Sequence, residues 1–291
     1  LLFRAAAASQ VGGGRSASPA WLQRLGSAPP AAGTFGMKLL LLGCSGFVGR
    51  DLVPYLLELG HQITLVSRRE APLQAPPGDR LVCLRLDPSD PASWRQESLR
   101  QALGAAQGVV NLAGEPIAEK RWTPAHQRLL MDSRVRTTEA LVAAMASLVQ
   151  PPQVLVQASA VGYYGTSSEA MFREDSPAGQ DFLAEICQRW EAAAAKVPST
   201  VRLVTLRIGI VLGPDGGALG RMLPVFRLGF GGPVGDGRQW MSWIHRHDLV
   251  RLIATALEDP AYGGTYNAVA PEPSRMADFA AQLGQVLGRP S

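Results

Sequence analysis

The chain has 291 residues, 46% of them hydrophobic and 18% charged, with a formal net charge of +4. That is enough apolar material for one large α/β domain, or a domain with an added lobe, and too much for a chain that stays disordered. Arg4, Arg15 and Arg24 sit in residues 1–36, which hold no acid, so most of the positive balance belongs to that stretch and is not a nucleic-acid footprint.

Residues 1–36 are rich in Ala, Ser, Gly and Pro and carry no core-forming periodicity. Two readings of them stand. One is an organelle transit segment, which places the protein in a plastid or other stroma. The other is sequence upstream of a start at Met37, which places it in the cytoplasm. The leading Leu1 also reads as the edge of a fragment. Cys44, Cys83 and Cys187 are odd in number and far apart. This argues against disulfides and a CxxC metal site, and for a reducing compartment. No apolar run approaches the roughly 18 to 20 residues of a membrane span, so neither membrane nor nucleic acid is an expected partner.

From Met37 the chain alternates. MKLLLL reads as a parallel strand buried on both faces. Residues 47–59 follow with helical spacing (Val48, Leu52, Val53, Leu56, Leu57), stopped by Gly60. Strands are expected at 62–66, 81–86, 108–112, 154–158 and 201–211. Helices are expected at 124–148, with Pro124 in the first turn, and at 181–196. Strands alternating with helices imply right-handed crossovers and a doubly wound parallel Rossmann sheet, an α/β fold. After Gly213 the texture becomes glycine-rich (GPDGGALG, GFGGPVGDG), with helices expected at 248–258 and at 276–287, the latter opened by Ser274. The expected organisation is a dinucleotide-binding domain over 37–213 and a small irregular lobe over 214–291, interleaved with it. No internal repeat is present.

GCSGFVG places Gly43, Gly46 and Gly49 between the first strand and the first helix. Gly43 lets the chain turn, Gly46 lets backbone approach phosphate, and Gly49 lets the helix pack close. The helix N-terminus then offers N–H groups and positive dipole to a pyrophosphate. Gly43, Ser45, Gly46, Phe47, Val48 and Gly49 are the expected contacts; a glycine-rich turn without a ligand is the alternative. After the second strand, where NAD enzymes carry a carboxylate for the ribose 2′-OH, the chain has Ser67, Arg68 and Arg69. Guanidinium groups bind a 2′-phosphate, so NADP(H) is expected over NAD(H), unless the arginines are merely solvated.

GCSGFVG, LVSRR, NLAGE (111–115) and SAVGYYG (159–165) together resemble an extended, atypical short-chain dehydrogenase/reductase. More narrowly they resemble the epimerase-family group labelled cell-division-inhibitor-like nucleotide-sugar epimerases. DFLAEICQRWEAAA, the long string from LRIGIVLG to IHRHDL, and GTYNAVAPEP fit that group. The resemblance runs from Met37 to the end and implies a family that continues for some tens of residues further. It implies that Ser67 and Arg68 contact the adenosine phosphate, that Leu112, Ala113 and Gly114 line the cofactor, and that Arg134 and Arg207 reach it from the side. For the two arginines a structural salt bridge is the alternative.

The superfamily's catalysis uses a Ser or Thr after the fifth strand and a Tyr-x-x-x-Lys on the next helix. Ser159 matches the serine. With Glu191 taken as the helix-end glutamate, the tyrosine and lysine positions fall on Leu183 and Cys187, which supply neither proton nor charge. Tyr163 and Tyr164 are the substitute hydroxyls, if a cation lies near them; otherwise they pack. Cys187 as a nucleophile lacks a visible base, and a buried structural thiol is the plainer reading. Arg221, Trp240, Trp243 and His245 lie where extended members hold substrate, with a lobe closing the sheet edge as the alternative. His245, His247 and Asp248 resemble a metal cluster in composition only; no metal is expected. Two functions follow. One is an NADP(H)-dependent oxidoreductase or epimerase-like enzyme for a nucleotide-sugar-like or other small substrate. The other is a non-catalytic NADPH-binding regulator or scaffold, linked to cell or plastid division. A homodimer formed through the helices ending near Leu148 and Lys196 is compatible with either.

Overall fold

The computed structural model describes residues 36–68 and 79–290, which belong to a single unit. Seven parallel strands form the central sheet: β1 (Lys38–Leu42), β2 (Gln62–Ser67), β3 (Leu81–Arg85), β4 (Gly108–Asn111), β5 (Val154–Ala160), β6 (Arg202–Ile208) and a strand at Gly264–Ala268, numbered β10 below. Their spatial order is β3-β2-β1-β4-β5-β6-β10. Leu39 to Leu42 of β1 are all buried, the consequence of helices on both faces. Each such leucine contributes about 1.5–3 kcal/mol by leaving water.

The helices are α1 (Gly49–Glu58), α2 (Glu97–Ala105), α3 (Pro124–Ala146) and α4 (Phe182–Ala194). Thr123 caps α3 by accepting from the His126 N–H, with Pro124 at the first position, and Asp181 caps α4 by accepting from the Ala184 N–H. Between β4, β5, α3 and α4 lies a small buried polar network. Asn111 Nδ2 donates to Thr138 Oγ1 and Gln157 Oε1, each at 3.0 Å, and Trp190 Nε1 donates to the same Thr138 oxygen at 3.0 Å. It fixes the helix pair against the sheet next to the strand ends.

The expected strand over 201–211 is two strands. It breaks at Gly209, where a Cβ would stand 2.5 Å from the Ser242 carbonyl oxygen. β7 (Ile210–Gly213) leaves the central sheet and pairs in parallel with β9 (Trp243–His245), Ile210 opposite Trp243 and Leu212 opposite His245. β8 (Trp240–Met241) pairs with β11 (Ser274–Arg275).

The segment after Gly213 is more regular than its glycines imply. It contains α5 (Gly217–Arg227), α6 (Arg246–Glu258), α7 (Met276–Leu287) and β10. α6 buries Leu249, Val250, Leu252, Ile253 and Leu257 and packs against β5 and α1, so it belongs to the core. It starts at Arg246, not 248, because the His245 ring accepts the His247 N–H. Ser274 does not cap α7: it lies in β11 and donates to the Arg275 carbonyl.

Candidate functional site

The strand order reverses between β1 and β4, and ligands of such sheets bind outside the carboxyl ends at that point. A cleft of about 480 Å³ opens there. Its walls are Gly43, Ser45 and Gly46 after β1, Val66, Ser67 and Arg68 at the end of β2, Asp87 to Ser89 after β3, Ala113 to Pro116 and Glu119 after β4, and Ser133 and Thr137 of α3.

The three loop glycines have distinct local reasons. Gly43 has φ +71° and a Cβ there would meet the Ala113 backbone nitrogen at 2.4 Å. At Gly49 a Cβ would stand 1.7 Å from the Cys44 carbonyl oxygen, so helix and loop touch backbone to backbone. At Gly46 a Cβ would meet only the Gly43 carbonyl, at 3.9 Å; the position is open toward the cleft. No side chain caps α1; the Arg50 N–H donates to the Gly46 carbonyl and the Asp51 and Leu52 N–H groups to the Val48 carbonyl, so the helix dipole and the loop N–H groups ahead of Arg50 are what the helix start offers an anion. The loop and clefted walls thus fit a dinucleotide. Phe47, Val48 and Gly49 do not form the cleft wall.

At the end of β2, Ser67 Oγ donates to Ser45 Oγ at 3.1 Å, tying the strand end to the glycine loop. Arg68 is exposed and its guanidinium lies 3.7 Å from Glu115 Oε2; Lys120 lies 3.7 Å from the other oxygen. Arg69 lies outside the described residues. Glu115 was not anticipated as a site residue, nor were Asp87 to Ser89, Ser133 and Thr137. Two signals in the sequence pointed to them: Asp87 to Ser89 directly follow a parallel strand, and Ser133 and Thr137 stand four apart on one helix face.

Arg134 lies beside Gly114, where a Cβ would come within 2.9 Å of its Cζ. It donates to the Leu130 and Glu115 carbonyls, each at 3.0 Å, and its Cζ stands 5.3 Å from the Trp190 ring centroid. Burial lowers its pKa, opposed by Cys187 and Glu115. The salt bridge expected as the alternative for this arginine is absent among the described residues.

Arg207 is different: it is fully committed. It pairs with Glu191 through Nε and Nη2, both at 2.9 Å, and donates through Nη1 to the Tyr164 hydroxyl at 2.9 Å and the Glu174 carbonyl at 3.0 Å. Burial works to lower its pKa, but the Glu191 carboxylate and Tyr164 outweigh it and raise it. It lies beside Ser159 across the β5–β6 register and outside the cleft wall. Ser159, 3% exposed, donates to Glu191 Oε1 at 2.5 Å.

The cation beside Tyr163 and Tyr164 is Arg207. Its Cζ stands 3.4 Å from the Tyr163 ring centroid and 4.9 Å from that of Tyr164. Tyr164 is buried, accepts from Arg207 and donates to Asn267 Oδ1 at 2.6 Å. Burial raises its pKa despite the arginine. Leu183 packs beside Gly162. Cys187, 4% exposed, has its thiol pushed up by burial, against opposing contributions from Ala160, Ser159 and Arg134. Burial thus disfavours the thiolate that a nucleophile needs.

Of the residues expected at the substrate, Arg221 on α5 donates to the Ala118 carbonyl at 2.5 Å and lies 3.8 Å from Glu119, a cleft-wall residue. Trp240 is exposed on β8 with the Arg275 guanidinium 4.2 Å over its ring. Trp243 pairs in β9, and His245 caps α6. None of these four lines the cleft at the β1–β4 strand ends. Among the described residues no group of three potential metal ligands clusters, and no helix is long and apolar enough to cross a membrane.

A model of the NAD dependent epimerase/dehydratase family matches residues 39–269. The chain belongs to that family. Among its family relatives, the chloroplastic epimerase family protein SDR39U1 homolog of Arabidopsis thaliana is 41% identical over 263 residues, covering 88% of this chain and 72% of that protein. The human epimerase family protein SDR39U1 is 39% identical over 256 residues, covering 87% and 81%. The crystal structure of that human protein (isoform 2) with NADPH superimposes with a TM-score of 0.76 over 87% of this chain and 81% of that one. The family has the Rossmann-type α/β sheet expected from the alternating strands and helices.

Proposed function

We propose that this chain binds NADPH in the cleft and acts as an NADP(H)-dependent oxidoreductase or epimerase-like enzyme on a nucleotide-sugar-like or other small substrate. The observation that carries the reading is the end of β2. A serine bonded to the glycine loop and an exposed guanidinium stand where NAD enzymes hold a carboxylate. The relative of known structure carrying NADPH supports the same cofactor. Bound there, NADPH supplies a hydride. The glycine loop and the α1 N-terminus hold the pyrophosphate, Arg68 the 2′-phosphate, and Arg134 the cleft from the α3 side.

We assign Ser159 and Tyr163 to the reacting end. The serine hydroxyl is oriented by its hydrogen bond to the Glu191 carboxylate, and Tyr163 lies on the Arg207 guanidinium. Tyr164 is assigned to holding that pair in place, since its hydroxyl is bonded on both sides. Residues 37–213 carry the cofactor and 214–291 supply the substrate side, with Arg221 nearest the cleft.

The competing reading is a non-catalytic NADPH-binding regulator. It is favoured by Leu183 and the buried Cys187 at the usual acid/base positions. Titration of NADPH and NADH by cofactor fluorescence, on the wild type and on Arg68→Ala, tests the site: the variant loses NADPH affinity and keeps NADH affinity. An unchanged NADPH/NADH ratio sinks the NADP assignment. NADPH oxidation against carbonyl compounds and nucleotide sugars then separates the readings, because silence with intact binding favours the regulator. Sedimentation velocity tests the homodimer.

A further inference from the structure

We propose that Phe47 is a positioning residue for the cofactor loop, and that a socket made by the GPDGG turn and Arg246 sets cofactor affinity from outside the cleft. This rests on the reading of the cleft as the NADPH site.

Phe47 lies inside GCSGFVG but contributes nothing to the cleft wall. Its ring is enclosed on the other side. A Cβ on Gly213 would stand 2.9 Å from its Cζ, and one on Gly217 2.7 Å from its Cε1. At Gly216 the three nearest atoms to an added Cβ are all Phe47 ring carbons, the first at 2.8 Å. Gly213 and Gly216 therefore share one physical reason for lacking a side chain, and Gly217, at φ +60°, adds a backbone reason to the same contact. Packing this close leaves the ring one position, because interiors tolerate neither void nor overlap.

Arg246 closes the socket. Its Cζ stands 4.6 Å from the ring centroid and its Nη1 3.4 Å from the Phe47 carbonyl oxygen. The guanidinium is buried and bridges two carboxylates: Asp51 in the first turn of α1 at 2.6 Å, and Asp215 of the GPDGG turn at 2.7 Å. One cation thus fastens the glycine loop, the helix whose N-terminus faces the pyrophosphate, and the turn after β7. Asp215 and Arg246 stand at the same end of the β7–β9 ribbon, so displacement of that ribbon reaches the cofactor loop. Phosphate-binding N–H groups need placement within about half an ångström, and a loop without a capping side chain obtains it from such an anchor.

The test uses Gly216→Ala, Phe47→Leu and the double variant, titrated with NADPH and with NADH by fluorescence, with circular dichroism and melting to establish folding. Gly216 has φ 168°, an extended conformation open to any residue, so its alanine presses on the ring alone. Gly216→Ala weakens both cofactors, by about tenfold each, because the pyrophosphate is common to them. In the Phe47→Leu background the same substitution costs nothing further, since the smaller side chain leaves room for the methyl. Simple multiplication of the two losses, or wild-type affinity in Gly216→Ala, overturns the socket. If Gly216→Ala does not fold, Asp215→Asn, half-exposed and isosteric, is the second variant: it weakens both cofactors about threefold, and no change overturns the proposal. Wild-type protein that fails to bind NADPH overturns the reading beneath it instead.

Discussion

Glu191 and Arg207 pair through two hydrogen bonds of 2.9 Å, and the same carboxylate takes the Ser159 hydroxyl at 2.5 Å. The arginine side chain is 5% exposed and the glutamate 15%. Removing one charge strands the other in a low-dielectric site. Glu191→Gln is expected to cost about 3–5 kcal/mol, read as a lowered urea midpoint with an unchanged slope. A loss under about 1 kcal/mol would mean that water reaches Arg207.

Glu115 faces the cleft between Arg68 and Lys120, each 3.7 Å away. A carboxylate there opposes an incoming polyanion and competes for Arg68. Both cations are exposed, so the pairs themselves contribute little. Glu115→Gln is expected to tighten NADPH about two- to fivefold, with a smaller gain for NADH, most clearly at low salt. Weaker NADPH binding in the variant would show instead that the carboxylate orients Arg68 productively.

A lysine in place of Cys187 should not be accommodated. Cys187 is buried, with the Arg134 cation close enough to influence its thiol. Cys187→Lys places a second cation there and is expected to lower stability by about 2–4 kcal/mol, measured by thermal and urea denaturation. A variant as stable as the wild type would show that a lysine at this position reaches solvent or a carboxylate.

Cys44 and Cys187 both have thiols raised above the ordinary value of 9.0 by burial. In the unfolded chain they ionise near that value, while in the fold they keep their protons. The stability they contribute is therefore complete below about pH 9 and lost progressively as pH rises through the folded values. Urea midpoints should hold up to about pH 9 and fall above it, and Cys44→Ala should flatten that fall. A flat profile in the wild type would contradict the buried thiols.

Much of the scaffold was legible in the sequence. The leucine run of β1, the helix after it and Pro124 in the first turn of α3 are local patterns, and they sit where their periodicity and backbone chemistry place them. The roles of Gly43 and Gly49 were legible for the same reason. Other elements escaped because their cause is distant. Residues 201–211 look like one β run, yet the Ser242 backbone lies against Gly209 and splits it. β10, with the polar sequence GTYNA, is a strand because β6 offers it an edge to pair with, not through its own propensity.

The sequence by itself determined the fold class and the dinucleotide loop, since both follow from spacing within a few tens of residues. Only the tertiary structure decided what the polar residues meet. Arg207 is 16 residues from Glu191 and 43 from Tyr164, and Arg246 is 199 from Phe47. Charges find partners by distance in space, and chain folding sets that distance. Hence Arg207 pairs inside the core, Arg134 stays beside the cleft, and the glycines of GPDGG enclose a phenylalanine of the cofactor loop.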